Sequence, residues 1–347
     1  MSNPTHSPEQ RIFLAPAPRR VHEILDEGDL ARLARLGNLI IHDEGPVTDA
    51  VFAEKAADAT IIIGQIDLPK ERLERAPNLR AVINVEGNFL PNIDYEHAFR
   101  SGVRVLNVSP VFAEPVAEVA LGMALSLARG IDRSDRHFRQ GVEKYGLDAN
   151  REAYSLFRQN IGFIGMGDLG KAILPLLAAF KPRVRAYDPW LPPEYLRALG
   201  CEPASLDEVL TRSRVTFVVA GVTSQNQGFL GASEFASMPD GASLVLVSRA
   251  GVVDFDAMLD AIESGHIRVA TDVFPQEPLP ANHRARRLDG ILLSPHQAGA
   301  MDNALRQIGK LAVADAELIA RGLPPIMCKV AQPETVALFR SKPVTKS

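Results

Sequence analysis

The stretch 161 IGFIGMGDLGKA 172 joins an apolar run, three glycines and the opening of a helix-like segment. Gly165, Gly167 and Gly170 fall at G-x-G-x-x-G spacing. That spacing is a weak signal alone, but here a strand-like run precedes it and 168 DLGKAILPLLAAF 180 continues as an amphipathic helix. In such a setting Gly165 permits a tight turn and Gly167 lets the backbone approach a pyrophosphate, while Gly170 lets helix and strand pack closely. The first helical amides and the positive end of the helix dipole favour phosphate groups. The candidate phosphate loop is therefore Gly165, Met166, Gly167, Asp168, Leu169 and Gly170. A second strand-like run, 184 VRAYD 188, ends in Asp188, eighteen residues beyond Gly170. A carboxylate there accepts hydrogen bonds from ribose hydroxyls and repels a 2′-phosphate. No arginine stands in 189 PWL 191, so the expected cofactor is NAD(H) and not NADP(H).

Working outward, short apolar runs alternate with amphipathic stretches. Strands are predicted at Ile12–Leu14, Leu39–His42, Thr60–Gly64, Ala81–Val85 and Val103–Asn107. A second series follows at Ile161–Gly165, Val184–Asp188, Val215–Ala220, Ser243–Val247, Ile267–Thr271 and Ile291–Ser294. Nearly all-apolar strands are those covered on both faces, so the class is α/β with two doubly wound parallel sheets. A helix is predicted over Pro115–Ala128, with proline at its start, and another from about Asn303 to Ala320, stopped near Gly322. The polar bridge 129–160 reads as a solvated face or a subunit contact. The two extremities, about 1–10 and 338–347, are expected to be loosely ordered, and His6 and His137 to be surface histidines.

A net charge of −4 offers no basic field for nucleic acid or an anionic membrane. No secretory leader is visible, and no apolar run approaches the roughly 18 residues of a membrane span. Cys201 and Cys328 have no neighbours at metal-ligand spacing, so no metal is expected, and the thiols read as reduced. A cytoplasmic protein is expected.

Four segments then carry a resemblance: 92 NIDYEHAFRSGVRVLNVSP 110, the glycine loop, 245 VLVSRAGVVDFDAML 259, and 270 ATDVFPQEPLP 280 with 291 ILLSPHQAGA 300. The chain resembles the NAD-dependent D-isomer-specific 2-hydroxyacid dehydrogenases from about Ala81 to Leu323. The resemblance implies a flavodoxin-like substrate domain, 1–127 plus 298–347, and an inserted Rossmann NAD-binding domain, 128–297, with a cleft that closes on substrate. It also implies a homodimer formed through the NAD-binding domain, and interconversion of a 2-hydroxy acid and a 2-oxo acid.

That chemistry needs a cation to hold the carboxylate and polarise the carbonyl. It needs an acid/base on the substrate oxygen and a group to orient that acid/base. Arg249 lies just past 243 SLVLV 247, at a carboxyl edge where doubly wound sheets bind ligands, and a guanidinium suits a carboxylate. His296 carries an imidazole, which can give and take the proton on the substrate oxygen. Glu277 can hydrogen-bond the imidazole, fix its tautomer and stabilise its charged form. The family uses Arg, Glu and His in these motifs and roles. The resemblance also implies cofactor contacts at Val247, at Thr223 near the adenosine ribose or pyrophosphate, and at Asp272 near the nicotinamide carboxamide. Asp254 reads as structural.

The substrate loop departs from the family. Where a glycine-rich stretch commonly grips the substrate carboxylate, this chain reads 85 VEGNFLPNID 94. Phe89 replaces a common glycine, Pro91 replaces a frequent aspartate, and Glu86 either brings negative charge to an anion site or points away. Substrate contacts are expected at Glu86, Gly87, Asn88 and Phe89, with Phe89 and Met301 forming an apolar pocket. The alternative is an NAD(H)-sensing binding or regulatory protein of the same fold. A formate- or phosphite-oxidising relative is disfavoured, because formate enzymes pair the histidine with glutamine and not glutamate.

Overall fold

A computed structural model describes residues 10–340. His6 and most of the two extremities lie outside the described residues. In chain order the strands are β1 (Gln10–Ala15), β2 (Gly37–Ile41), β3 (Ile61–Gly64), β4 (Ala81–Asn84), β5 (Arg104–Asn107), β6 (Asn160–Ile164), β7 (Arg183–Tyr187), β8 (Glu202–Pro203), β9 (Val215–Val218), β10 (Ala242–Leu246), β11 (Ile267–Thr271), β12 (Ile291–Leu293) and β13 (Lys329–Val330).

The chain divides into two compact units. One holds the residues up to Phe112 and from Ala300 onward; the other is Ala113–Gly299. The first unit has a six-stranded sheet in the order β13-β5-β4-β3-β1-β2. All its pairings are parallel except β13 with β5. Without β13 this is the flavodoxin-like order. Alternate residues feed two cores. Ile12, Leu14, Ile61, Ile63, Ala81 and Ile83 face one side, while Phe13, Ala15, Ile62 and Val82 face the other. The helix Asp302–Ala320 covers the first side with Leu305, Ile308, Ala312 and Ala316.

The second unit has a seven-stranded sheet, β12-β11-β10-β9-β6-β7-β8, all parallel. Its direction of growth reverses at β6 and β9, as in dinucleotide-binding sheets. Ile161, Phe163, Val215 and Phe217 pack on one face, and Ile164, Val218, Leu244 and Leu246 on the other. The two-residue edge strands β8 and β13 carry no apolar run, so composition does not mark them as strands.

Two further expectations change. The helix at the first boundary runs Ser109–Arg129, with Pro115 inside it and not at its start. Proline removes one helical hydrogen bond, but Val111 packs in the first unit's core and Val116, Ala117 and Ala120 in the second's. Burial on both sides of the proline offsets the lost bond. The compact units part at Phe112/Ala113 and Gly299/Ala300; the domain bounds expected from sequence are 127/128 and 297/298. This helix is also long and apolar enough to cross a membrane, with mean hydropathy 1.5, but 56% of that stretch is buried inside the protein. It is a core helix by packing. Both cysteines are free and buried, and burial pushes the Cys201 thiol up to about 11.

Candidate active site

The glycine loop follows β6 at the carboxyl edge of the second unit's sheet. Gly165 adopts φ +88°, and a Cβ there would lie 2.7 Å from backbone atoms of Ala220. Only glycine fits that turn. A Cβ on Gly167 would meet nothing within 4 Å, so its backbone faces open space. One on Gly170 would lie 2.9 Å from Met166 Sδ and 3.2 Å from the Gly165 carbonyl. The helix Asp168–Leu177 begins at Gly167, which offers no side-chain cap. The three glycines thus show a tight turn, an open approach and a close packing contact, and this cradle fits a dinucleotide pyrophosphate. Met166 is fully buried and Leu169 packs against the same core, so only their backbones are available to a phosphate.

Asp188 follows β7. Its Oδ2 accepts from the Met166 N–H at 2.8 Å and its Oδ1 from the Trp190 N–H at 2.9 Å. It therefore braces the glycine loop, and each oxygen retains a lone pair for a ribose hydroxyl. Thr223 is buried, and its hydroxyl accepts from the Gln225 N–H at 3.2 Å within a turn closed by Asn226. Val247 is buried just beyond β10.

Arg249, Glu277 and His296 follow the carboxyl ends of β10, β11 and β12, three adjacent strands. Arg249 is partly buried, and its Nη1 donates to its neighbour's carbonyl, Ser248 O, at 2.6 Å. His296 Nδ1 lies 2.6 Å from Glu277 Oε2. Glu277 Oε1 accepts from the Phe274 N–H at 3.0 Å, which fixes the carboxylate from behind. An ionised carboxylate only accepts, so Nδ1 carries the hydrogen and Nε2 is left for proton exchange. Asp254 caps the helix Phe255–Glu263 by accepting from the Ala257 N–H.

Asp272, the expected nicotinamide contact, is engaged within the protein. It is 1% exposed, and its oxygens accept from Ser294 Oγ at 2.5 Å, Gln297 N at 3.1 Å and Ala298 N at 3.0 Å. All three donors flank His296, whose φ of +51° is uncommon outside glycine. Such a conformation costs on the order of 1–3 kcal/mol and persists where neighbours over-determine it. Asp272 supplies that restraint. Ser294 was not singled out from sequence; the signal was its place two residues before His296 at a strand end.

The substrate loop belongs to the first unit. Glu86 is buried and paired with Arg19, Nε to Oε1 at 2.8 Å and Nη2 to Oε2 at 3.4 Å. Its charge is neutralised. A Cβ on Gly87 would lie 3.0 Å from the Phe112 ring, so the loop lies close against that side chain. Asn88 is partly buried. Phe89 is in the core, with Tyr95 and Phe339 ring centroids at 6.4 and 6.1 Å. Met301 is 43% exposed and outside that cluster. Phe89 packs inward in this core, while Met301 stays exposed.

Residues 121–298 match the family described as D-isomer specific 2-hydroxyacid dehydrogenase, NAD binding domain. A glyoxylate reductase from Korarchaeum cryptofilum is 28% identical over 82% of this chain and 86% of its own length. A D-3-phosphoglycerate dehydrogenase from Methanocaldococcus jannaschii is 28% identical over 77% of this chain and 51% of its own. The chain thus spans about half the length of that relative. The crystal structure of a phosphoglycerate oxidoreductase from Rhizobium etli superposes with TM-score 0.86 at 44% identity, covering 94% of this chain and 99% of that one. A cofactor cradle, a Glu–His pair and an arginine on adjacent strand ends thus stand in a chain matched along most of its length, and this protein belongs to the NAD-dependent D-isomer-specific 2-hydroxyacid dehydrogenase family.

Proposed function

We propose that the chain interconverts a D-2-hydroxy acid and a 2-oxo acid, acting in cells as a reductase of the oxo acid. Nicotinamide, when bound, supplies or accepts the hydride at the substrate's second carbon. Arg249 holds the substrate carboxylate and polarises the carbonyl with its fixed positive charge. His296 delivers a proton from Nε2 to the oxygen on reduction and takes it back on oxidation. Glu277 holds Nδ1, orients the ring and stabilises the imidazolium. Asp272 and Ser294 act through the loop that carries His296. Gly165–Gly170, Asp188, Thr223 and Val247 serve the cofactor, and residues 86–89 the substrate. The observation that carries this reading is the 2.6 Å Glu277–His296 contact, at the carboxyl edge of the sheet whose β10 also leads into Arg249.

We also propose a cytoplasmic homodimer formed through the second unit. Its bridge 131–147 exposes Ile131, Phe138, Val142, Tyr145 and Leu147, the last at 74%. Monomers rarely display so many large apolar side chains in one stretch.

The test is NADH oxidation against glyoxylate, pyruvate, hydroxypyruvate, phosphohydroxypyruvate, and branched-chain and aromatic 2-oxo acids. Turnover should vanish in His296→Ala. Arg249→Ala should lose at least about a hundredfold in kcat/KM while NADH titration stays within twofold. Loss of NADH binding in that variant would make the arginine a cofactor residue. No turnover in the wild type with NADH still bound would sink the reductase reading.

A further inference from the structure

The amino edge of the second unit's sheet carries a surface that the chemistry at the carboxyl edge does not use. Arg158 stands two residues before β6, Lys181 two residues before β7, and Arg183 opens β7. Backbone pairing brings them together. The Arg158 N–H donates to the Phe180 carbonyl at 2.8 Å, and the Arg183 N–H to the Gln159 carbonyl at 2.9 Å. All three side chains are exposed, and none makes a hydrogen bond or an ion pair among the described residues. Neither 153–167 nor 169–187 holds an aspartate or a glutamate. Across the sheet, Glu202 on β8 is already paired with Arg185 at 3.1 Å.

Two of these cations sit on strained backbone. Arg158 has φ +59° and Lys181 φ +51°. Positive φ is uncommon outside glycine, and asparagine and aspartate adopt it more readily than lysine or arginine. Glycine would make both turns at less cost. Among the described residues the only other non-glycine at positive φ is His296, in the candidate active site. Strain of this kind collects where a side chain serves function. At 158 and 181 no hydrogen bond or ion pair of the side chain offsets it within the fold. Beside the cations, Phe157 is 52% exposed and rests edge-on against Phe180, with ring centroids 5.2 Å apart.

The patch therefore offers three positive charges without counter-ions and one seated aromatic face. A guanidinium fork suits carboxylates. Nucleic acid needs a longer run of phosphate contacts, and a net charge of −4 opposes a polyanion at long range. A few carboxylates around one apolar residue match the patch in charge and in size. We infer that Phe157, Arg158, Lys181 and Arg183 form a docking surface for an acidic peptide segment of a partner protein. The cations take its carboxylates, and Phe157 takes its apolar side chain. The glycine loop follows the other end of β6, so partner and dinucleotide occupy opposite edges of one sheet.

The experiment titrates the intact chain into a fluorescein-labelled octapeptide of seven glutamates and one central leucine, read by anisotropy. Binding should saturate, and it should weaken with added salt. The double variant Lys181→Glu/Arg183→Glu should weaken it by about tenfold or more, because like charges then face the peptide. Lys181→Gly removes one charge and relaxes the turn. It should weaken binding by about threefold while the melting midpoint holds or rises. Phe157→Ser should abolish the advantage of the leucine peptide over an all-glutamate one. No binding to the wild type, or equal binding to the charge-reversed variant, overturns the inference. So does a lower midpoint in Lys181→Gly, which would assign the lysine to the fold. Tighter binding of an eight-nucleotide DNA strand would make the patch a nucleic-acid surface. Loss of self-association in the charge-reversed variant would make it a subunit contact. Either result also overturns it.

Discussion

Asp272 and Asp188 show how much one carboxylate does at a strand end. Each stands where a cofactor contact is expected, and each spends hydrogen bonds on backbone amides that shape the site. For Asp272, replacement by Asn swaps an oxygen acceptor for a donor facing the donors on the His296 loop. The loop should shift, and misplacement by about 1 Å costs on the order of a hundredfold in rate. We expect Asp272→Asn to lower kcat by about ten- to hundredfold with the NADH dissociation constant within twofold. A parallel loss of NADH affinity would point to direct cofactor contact. Asp188→Ala should weaken NADH binding and narrow the preference over NADPH, read by fluorescence titration with both. An unchanged preference would remove the ribose role.

At the scale of elements, the helix Asp302–Ala320 illustrates packing that spacing alone does not reveal. Gly309 lies inside it, and a Cβ there would sit 2.2 Å from the Ile24 carbonyl oxygen. Lys310 beside it bridges Asp26 and the buried Asp29. An isolated helix would gain about 0.5–1 kcal/mol from Gly→Ala, yet here the backbone of another segment occupies the space. Overpacking of this kind costs roughly 1–3 kcal/mol, so Gly309→Ala should lower the midpoint of chemical denaturation. A rise would show that the contact relaxes freely. Pro115 is the converse case. As a local signal it marks a helix start, but the apolar residues on both sides of it are buried, and the helix runs through it.

For the whole molecule, an ordinary charge balance leaves shape and apolar surface to decide association. The net charge of −4 neither drives nor forbids self-contact, while the bridge after the long helix exposes large apolar side chains. Sedimentation should give a dimer at micromolar concentration. Leu147→Asp, at a side chain 74% exposed in one chain, should shift the population toward monomer without lowering the melting point of the monomer itself. A wild-type monomer would sink the homodimer proposal.

Sequence by itself determined the class, the order of elements and the cofactor cradle, because these rest on local physics. Apolar runs of strand length, glycines where no Cβ fits and an acid at the next strand end are legible residue by residue. Eleven strand segments were readable this way, and their ends shifted by two residues or fewer. The edge strands β8 and β13 were not, since pairing and not composition makes them strands. Arg249, Glu277 and His296 were legible through motif, but what surrounds them was not. The three donors on Asp272, the pairing of Glu86 with Arg19 across 67 positions and the inward turn of Phe89 all join residues distant in sequence. Only the tertiary fold brings those charges and rings together, and burial then decides which contacts persist.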